Sequence, residues 1–180
     1  MKFLPRFSLL LVAATLVGCA GMESRTLKAS VEIQPTSSAE AAGLKPTGRV
    51  TFTQMGSPGW VRVEAKIDGL KPNAEHGFHV HAVADCSGDG TKTAAHFNPD
   101  NNPHTHPGQP HRHAGAMFNL KTDANGSGRL QQDINTISLT PGRYSIMGLP
   151  LITHRDADDY KSQPLGNAGP RIACGLITAG

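Results

Sequence analysis

The sequence predicts an all-β domain, an antiparallel sandwich or barrel interrupted by two long loops, and three observations carry that prediction. Short segments alternate apolar and polar residues with the period of two that buries one face of a strand. Turn-forming residues separate them, with 20 Gly and 13 Pro among 180 residues. No long segment carries a helical period, so the fold class reduces to packed antiparallel strands.

The elements follow in order. Leu27, Ala29, Val31 and Ile33 alternate with Lys28, Ser30 and Glu32, which makes the first strand. Residues 35–48 mix small, polar, Pro and Gly residues without periodicity and read as a loop. Val50 and Phe52, then Val61, Val63, Ala65 and Ile67 beyond the turn Ser57-Pro58-Gly59, outline a hairpin. Further strands are expected over residues 76–81, around Met117 to Leu120, after the Asn125-Gly126 turn, from Tyr144 to Leu151 and from Arg171 to Ile177. Two connections break the rhythm, Ala82 to Arg112 and Arg155 to Pro170. Loops of that length inside a domain are commonly functional.

The chain opens with two early cations, Lys2 and Arg6, an apolar run from Leu9 to Val17 and small residues around Cys19, the layout of an export signal. Leu16-Val17-Gly18-Cys19 resembles a bacterial lipoprotein box. It implies a signal peptide over residues 1–18, a lipidated Cys19, a tether over 19–26 and one domain over 27–180, exported and membrane-anchored in a bacterial periplasm. Simple cleavage after a small residue and a buried N-terminal helix are the other readings of that segment. Removing Lys2 and Arg6 from the 17 Lys and Arg leaves 15 against 14 Asp and Glu, which is no nucleic-acid footprint. With Cys19 lipidated, Cys86 and Cys174 remain. An oxidising compartment favours joining them, and two separate buried thiols is the alternative.

The chemistry lies in the histidines. In His76-Gly77-Phe78-His79-Val80-His81 the period of a strand puts His79 and His81 on one face and Phe78 and Val80 on the other, so two imidazoles stand side by side as copper or zinc ligands can. His96, His104, His106, His111 and His113 cluster in a Pro-rich loop. They read either as one defined metal site or as a solvated, promiscuous metal-binding tract.

The motif HGFHVH, the following Cys86, AAHFNP, the histidine-bearing loop, LITHRDADD and GNAGPRIACGLI together resemble the copper/zinc superoxide dismutase family in its bacterial exported form. The resemblance covers nearly all of the chain from Leu27 and implies a Greek-key β-sandwich or barrel. By position it implies copper ligands His79, His81, His96 and His154, with His96 bridging to a zinc site completed by His104 and His113. It also implies a structural role for His76, Asp158 as the carboxylate that orients metal histidines, Arg171 as the anion-attracting arginine beside copper, and a Cys86–Cys174 disulfide. One family residue is missing: Ala116 stands where the zinc-binding aspartate belongs. An alanine cannot ligate, so the zinc site is expected to be weak unless His106 or His111 substitutes.

The activity implied is copper-dependent disproportionation of superoxide to oxygen and hydrogen peroxide, with Arg171 and His96 as catalytic residues, in a monomer or homodimer. A copper-buffering lipoprotein on the same fold is the rival expectation, favoured by the extra histidines and the lost aspartate, whereas storage has no use for Arg171.

Overall fold

The computed structural model describes residues 26–56 and 59–180. The expected signal peptide, Cys19 and all but the last residue of the tether lie outside the described residues. Ten strands form one antiparallel system: β1 (Lys28–Pro35), β2 (Thr47–Gly56), β3 (Gly59–Asp68), β4 (Glu75–His76), β5 (Phe78–Val80), β6 (Leu120–Thr122), β7 (Gly128–Ile134), β8 (Pro150–His154), β9 (Arg171–Leu176) and β10 (Thr178–Ala179). Their order is β4-β6-β7-β3-β2-β1-β9-β8-β5, with β10 against β1.

Two segments turn this sheet into a nearly closed barrel. β1 pairs with β2 from Lys28 to Ile33 and passes to β9 at Gln34 and Pro35. β4 and β5, the two ends of the order, are consecutive pieces of one chain segment hinged at Gly77. The Gly77 N–H donates to the Asp156 carbonyl and its own carbonyl accepts from the His154 N–H, both at 2.8 Å. A Cβ there would lie 2.7 Å from that of Ala168, so the hinge tolerates no side chain.

The alternation read from sequence is the alternation of burial. Val31, Ile33, Val50, Phe52, Val63 and Ile67 fill the barrel, joined by Phe78 and Val80 from the histidine strand. Burying such side chains stabilises by roughly 1.5 to 3 kcal/mol each.

Three expectations shift. The loop 35–48 contains a one-turn helix, α1 (Ser37–Ala41), which plugs the barrel edge with the buried Ala39. The expected strand from Tyr144 to Leu151 begins only at Pro150, because Gly142 and Gly148 hold positive φ and Ser145 and Leu149 donate into local turns. The strand expected around Met117 to Leu120 runs instead from Leu120 to Thr122. Both long connections remain without strands of their own, apart from one 3-10 turn (Thr91–Thr93). Cys86 and Cys174 form a disulfide with Cα atoms 5.7 Å apart, fastening the first long loop to β9.

Candidate metal centre

β5 delivers the first histidine pair. His79 is fully buried, and His81, just beyond the strand, extends the same face with its N–H donating to the Pro150 carbonyl at 2.9 Å. Isolated bridges set His96 opposite His81 and Ala116 opposite His79, bringing the first long loop back onto the histidine strand. β8 contributes His154, which pairs across the ladder with Arg171 of β9 after a register shift at Thr153/His154.

The side-chain nitrogens sort themselves by their partners. His81 Nδ1 donates to the Ala94 carbonyl at 2.9 Å and His154 Nδ1 to the Gly169 carbonyl at 3.0 Å, which leaves Nε2 of each free. Asp158 does the reverse for two others: its Oδ2 holds His79 Nε2 at 2.8 Å and its Oδ1 holds His104 Nε2 at 2.9 Å, leaving Nδ1 of each free. His79 Nδ1, His96 Nε2 and His104 Nδ1 are buried without a protein partner. Orphaned acceptors of that kind are costly unless something binds them.

These free atoms converge in two groups. Ligand atoms of His79, His81, His96 and His154 lie within 4.8 Å of one another, as do those of His96, His104 and His113. His154 Nε2 is 3.3 Å from His81 Nε2, and His96 Nδ1 is 3.2 Å from His113 Nδ1. His96 thus belongs to both groups, with Nδ1 beside His113 and Nε2 buried without a protein partner, so the orphaned atoms and the all-imidazole donor set fit copper in the first and a zinc-type ion in the second.

Electrostatics favours ligation. Burial is the main cause that holds His79, His81 and His96 below the ordinary imidazole range, and it brings His113 down to about 4 and His154 to about 3, so all five stand neutral with lone pairs available at pH 7. Burial pushes the Asp158 carboxyl upward, but hydrogen bonds from His104 and His79 outweigh it and hold the group below the usual carboxylate range. Asp158 is therefore an anion that fixes two rings, each on a different metal group. Its own backbone is fixed by Asn119, whose Oδ1 accepts from the Asp158 N–H and whose Nδ2 donates to the Asp158 carbonyl, both at 3.0 Å. Gly166 at φ +65° lets the second loop press onto this carboxylate, where any Cβ would collide with it.

Arg171 borders a cavity of about 310 Å³ that opens over His154 and is walled by Gln163, Pro164 and Leu165. Its Nη2 donates to the Ala94 carbonyl at 2.7 Å, and its own carbonyl accepts from Thr36 Oγ1 at 2.6 Å. His76 belongs to neither group: its Nδ1 donates to the His154 carbonyl at 2.8 Å. His106 and His111 are also outside both groups and exposed, with His106 against the Tyr160 and Phe118 rings.

Several contributors carry no sequence signal. The carbonyls of Ala94 and Gly169 act through the backbone, which any residue supplies. Gln163 clamps the His104 peptide, accepting from its N–H at 2.8 Å and donating to its carbonyl at 2.7 Å. Only an amide that can both donate and accept does this, and a lone Gln in a loop gives no hint of it.

The fold and these side chains define a β-barrel with two adjoining histidine groups able to hold metal ions and an arginine-lined opening above the first. The family model described as copper/zinc superoxide dismutase matches residues 46–177. A protein named superoxide dismutase [Cu-Zn] from Paramecium bursaria Chlorella virus 1 is 33% identical over 183 residues, covering 98% of this chain and 96% of its own. One of the same name from Yarrowia lipolytica is 40% identical over 139 residues, covering 74% and 90%. Among solved structures, the clock protein EA4 superposes with a TM-score of 0.74 at 35% identity over 86% of this chain and 96% of that one. A double mutant of a SOD-like protein from Bacillus subtilis gives 0.71 at 29% identity over 83% and 96%. The chain belongs to the copper/zinc superoxide dismutase family of enzymes.

Proposed function

We propose that this chain disproportionates superoxide at a copper ion held by His79 Nδ1 and by Nε2 of His81, His96 and His154, and that it does so as an exported lipoprotein whose second metal site is weak. The observation that carries the reading is the convergence of these nitrogens while each ring's other nitrogen is taken or faces the second group. Bound there, copper supplies the alternating gain and loss of one electron on which disproportionation depends.

The chain's own residues do the rest. Arg171 sets a fixed positive charge at the opening above His154, where it attracts the small anion and orients it. His96 Nε2 is the atom suited to hold and release a proton, since an imidazole exchanges one readily and its far nitrogen is tied to the second group. The Ala94 and Gly169 carbonyls and Asp158 keep the remaining rings from turning, so the donor set does not relax between turnovers.

His96, His104 and His113 would hold zinc through three imidazoles with no carboxylate, since the buried Ala116 stands where the family resemblance expects the aspartate. Without that anion, charge compensation is lost and binding weakens. The Cys86–Cys174 disulfide supports an oxidising compartment, and the lipoprotein-box resemblance around Cys19 supports anchoring.

The test measures metal content and superoxide turnover on one purified sample reconstituted with copper, with and without zinc. One copper per chain with fast copper-dependent turnover establishes the enzyme; tight copper without turnover gives the copper-buffering reading instead.

A further inference from the structure

One row of the outer sheet surface breaks the rule that like charges avoid facing each other across a ladder. Register places Glu32 opposite Arg49, Arg49 opposite Lys66, Lys66 opposite Arg129, Arg129 opposite Lys121 and Lys121 opposite Glu75. Four cations therefore stand side by side on β2, β3, β7 and β6, at the interstrand spacing of about 4.8 Å, with one carboxylate at each end. The end pairs are closed: Arg49 meets Glu32 and Lys121 meets Glu75, each at 2.9 Å. Glu64 and Asp68 flank Lys66 along β3, yet among the described residues no carboxylate oxygen comes within 4.0 Å of either Lys66 or Arg129. Like charges directly opposite one another destabilise a sheet, so the row is not there for the barrel's own stability.

A second feature shares the face. Trp60, the only tryptophan in the chain, is 49% exposed and pairs with Met55 at the hairpin end of β2 and β3. It has the same outward parity as Arg62, Glu64 and Lys66. β1 enters the sheet at that end, its residue Lys28 opposite Thr53 and the Leu27 carbonyl accepting from the Gln54 N–H. The described chain therefore begins, at Thr26, beside the hairpin end of this face, and the apolar run from Leu9 to Val17 precedes it in the sequence.

We propose that the outer face of β2, β3, β7 and β6 lies on an anionic phospholipid surface, with Lys66 and Arg129 meeting headgroup phosphates and Trp60 seated at the interface. Charge complementarity selects the occupant: unpaired cations in a row match a plane of phosphates, and an exposed indole suits the apolar–polar boundary. With the described chain beginning beside this face, a membrane that holds the chain by its N-terminus lies within reach of it, a step that rests on the anchoring reading above. Lying this way, the barrel leaves the opening over His154 on β8 and β9, outside the bound strands.

Trp60 reports the contact directly. The full chain is mixed with vesicles of phosphatidylcholine alone or with phosphatidylglycerol added, and Trp60 emission and vesicle co-flotation are followed. The expected result is a blue shift only with phosphatidylglycerol, reversed by about 0.5 M salt, which screens the cations over a few ångströms. In Lys66→Gln/Arg129→Gln the shift disappears and the added affinity for anionic vesicles falls about thirtyfold. Thermal stability of that variant is unchanged or higher, because the removed charges repel one another. Equal emission on both vesicle types overturns the proposal, as does a double variant that shifts like the parent. Salt-insensitive protein dimers that bury Trp60 overturn it too and assign the face to a second copy. Failure of the chain to float on phosphatidylcholine vesicles removes the anchor alone, since the charge-dependent shift on phosphatidylglycerol is read independently.

Discussion

Arg171 and His81 hang from the same carbonyl oxygen: that of Ala94 accepts from Arg171 Nη2 at 2.7 Å and from His81 Nδ1 at 2.9 Å. Arg171, which borders the opening over His154, and His81, a member of the four-histidine group, are thereby referenced to one backbone atom. That atom is itself constrained, because Ala94 adopts φ +60° between the 3-10 turn and the strand bridge of His96.

Replacing Arg171 with alanine removes one of the two donors and leaves the His81 bond in place. Copper affinity should stay within a few-fold of the parent, while superoxide turnover at low ionic strength falls by about tenfold or more, the scale of electrostatic steering. Metal titration and pulse-generated superoxide decay on the same preparation check both halves. A variant that loses copper in proportion to activity would show that Arg171 acts by supporting the ligand set.

Asp158 makes the opposite prediction. Its carboxylate fixes His79 for one group and His104 for the other, so Asp158→Asn offers an amide that can accept from only one of the two rings. Both metal affinities should fall together by roughly 10- to 100-fold, the usual consequence of losing a contact behind a ligand. Competition with a chelator, read separately for copper and zinc, measures this. Loss at one site only would mean that the carboxylate does not couple them.

Much of this site was legible in the sequence, and the boundary of legibility is physical. The strand period in residues 76–81 placed His79 and His81 together because a pleated backbone leaves no other choice. The resemblance supplied His96, His104, His113, His154, Asp158 and the Cys86–Cys174 pair, and the fold gathers the histidines into two groups, sets Asp158 against His79 and His104 and joins the two cysteines. Periodicity failed between Tyr144 and Leu149, where Ile146 is buried by a turn and not by a strand. Composition also could not show that four cations dispersed over residues 49 to 129 fall into one row, since cross-strand register sets that and residue spacing does not.

The buried imidazoles make the metal-free chain sensitive to acid. His154 and His113 titrate at about 3 and about 4 in the folded state but at about 6.5 when unfolded. Between those limits the unfolded chain binds more protons, so stability is complete above about pH 6.5 and declines as pH falls toward 3. Each group contributes a slope of up to about 1.4 kcal/mol per pH unit in that window. Melting temperatures of the metal-free chain from pH 7.5 to 4.5 should therefore drop steadily, and copper should displace the drop to lower pH because protons must then compete with the metal. A flat metal-free profile would show that these rings are not held neutral by burial.

Ala116 offers the most direct control of the second site. It is buried, faces His79 across an isolated bridge, and its N–H donates to the His113 carbonyl at 3.2 Å, so a longer side chain there begins beside the three-histidine group. In Ala116→Asp a carboxylate is buried at a position that neighbours the neutral His79 and His113, which destabilises the metal-free chain by about 3 kcal/mol or else forces the acid to stay protonated. Zinc reverses both effects by accepting the fourth ligand and the negative charge. The variant should melt lower than the parent without metal, gain more from zinc than the parent does, and bind zinc at least about tenfold more tightly. Because His96 belongs to both histidine groups, zinc in the variant should also change the spectrum of copper bound in the first, a readout independent of turnover. Equal zinc affinity in the two proteins would mean that three imidazoles and Asp158 already compensate the ion, and that the missing aspartate is not what limits the site.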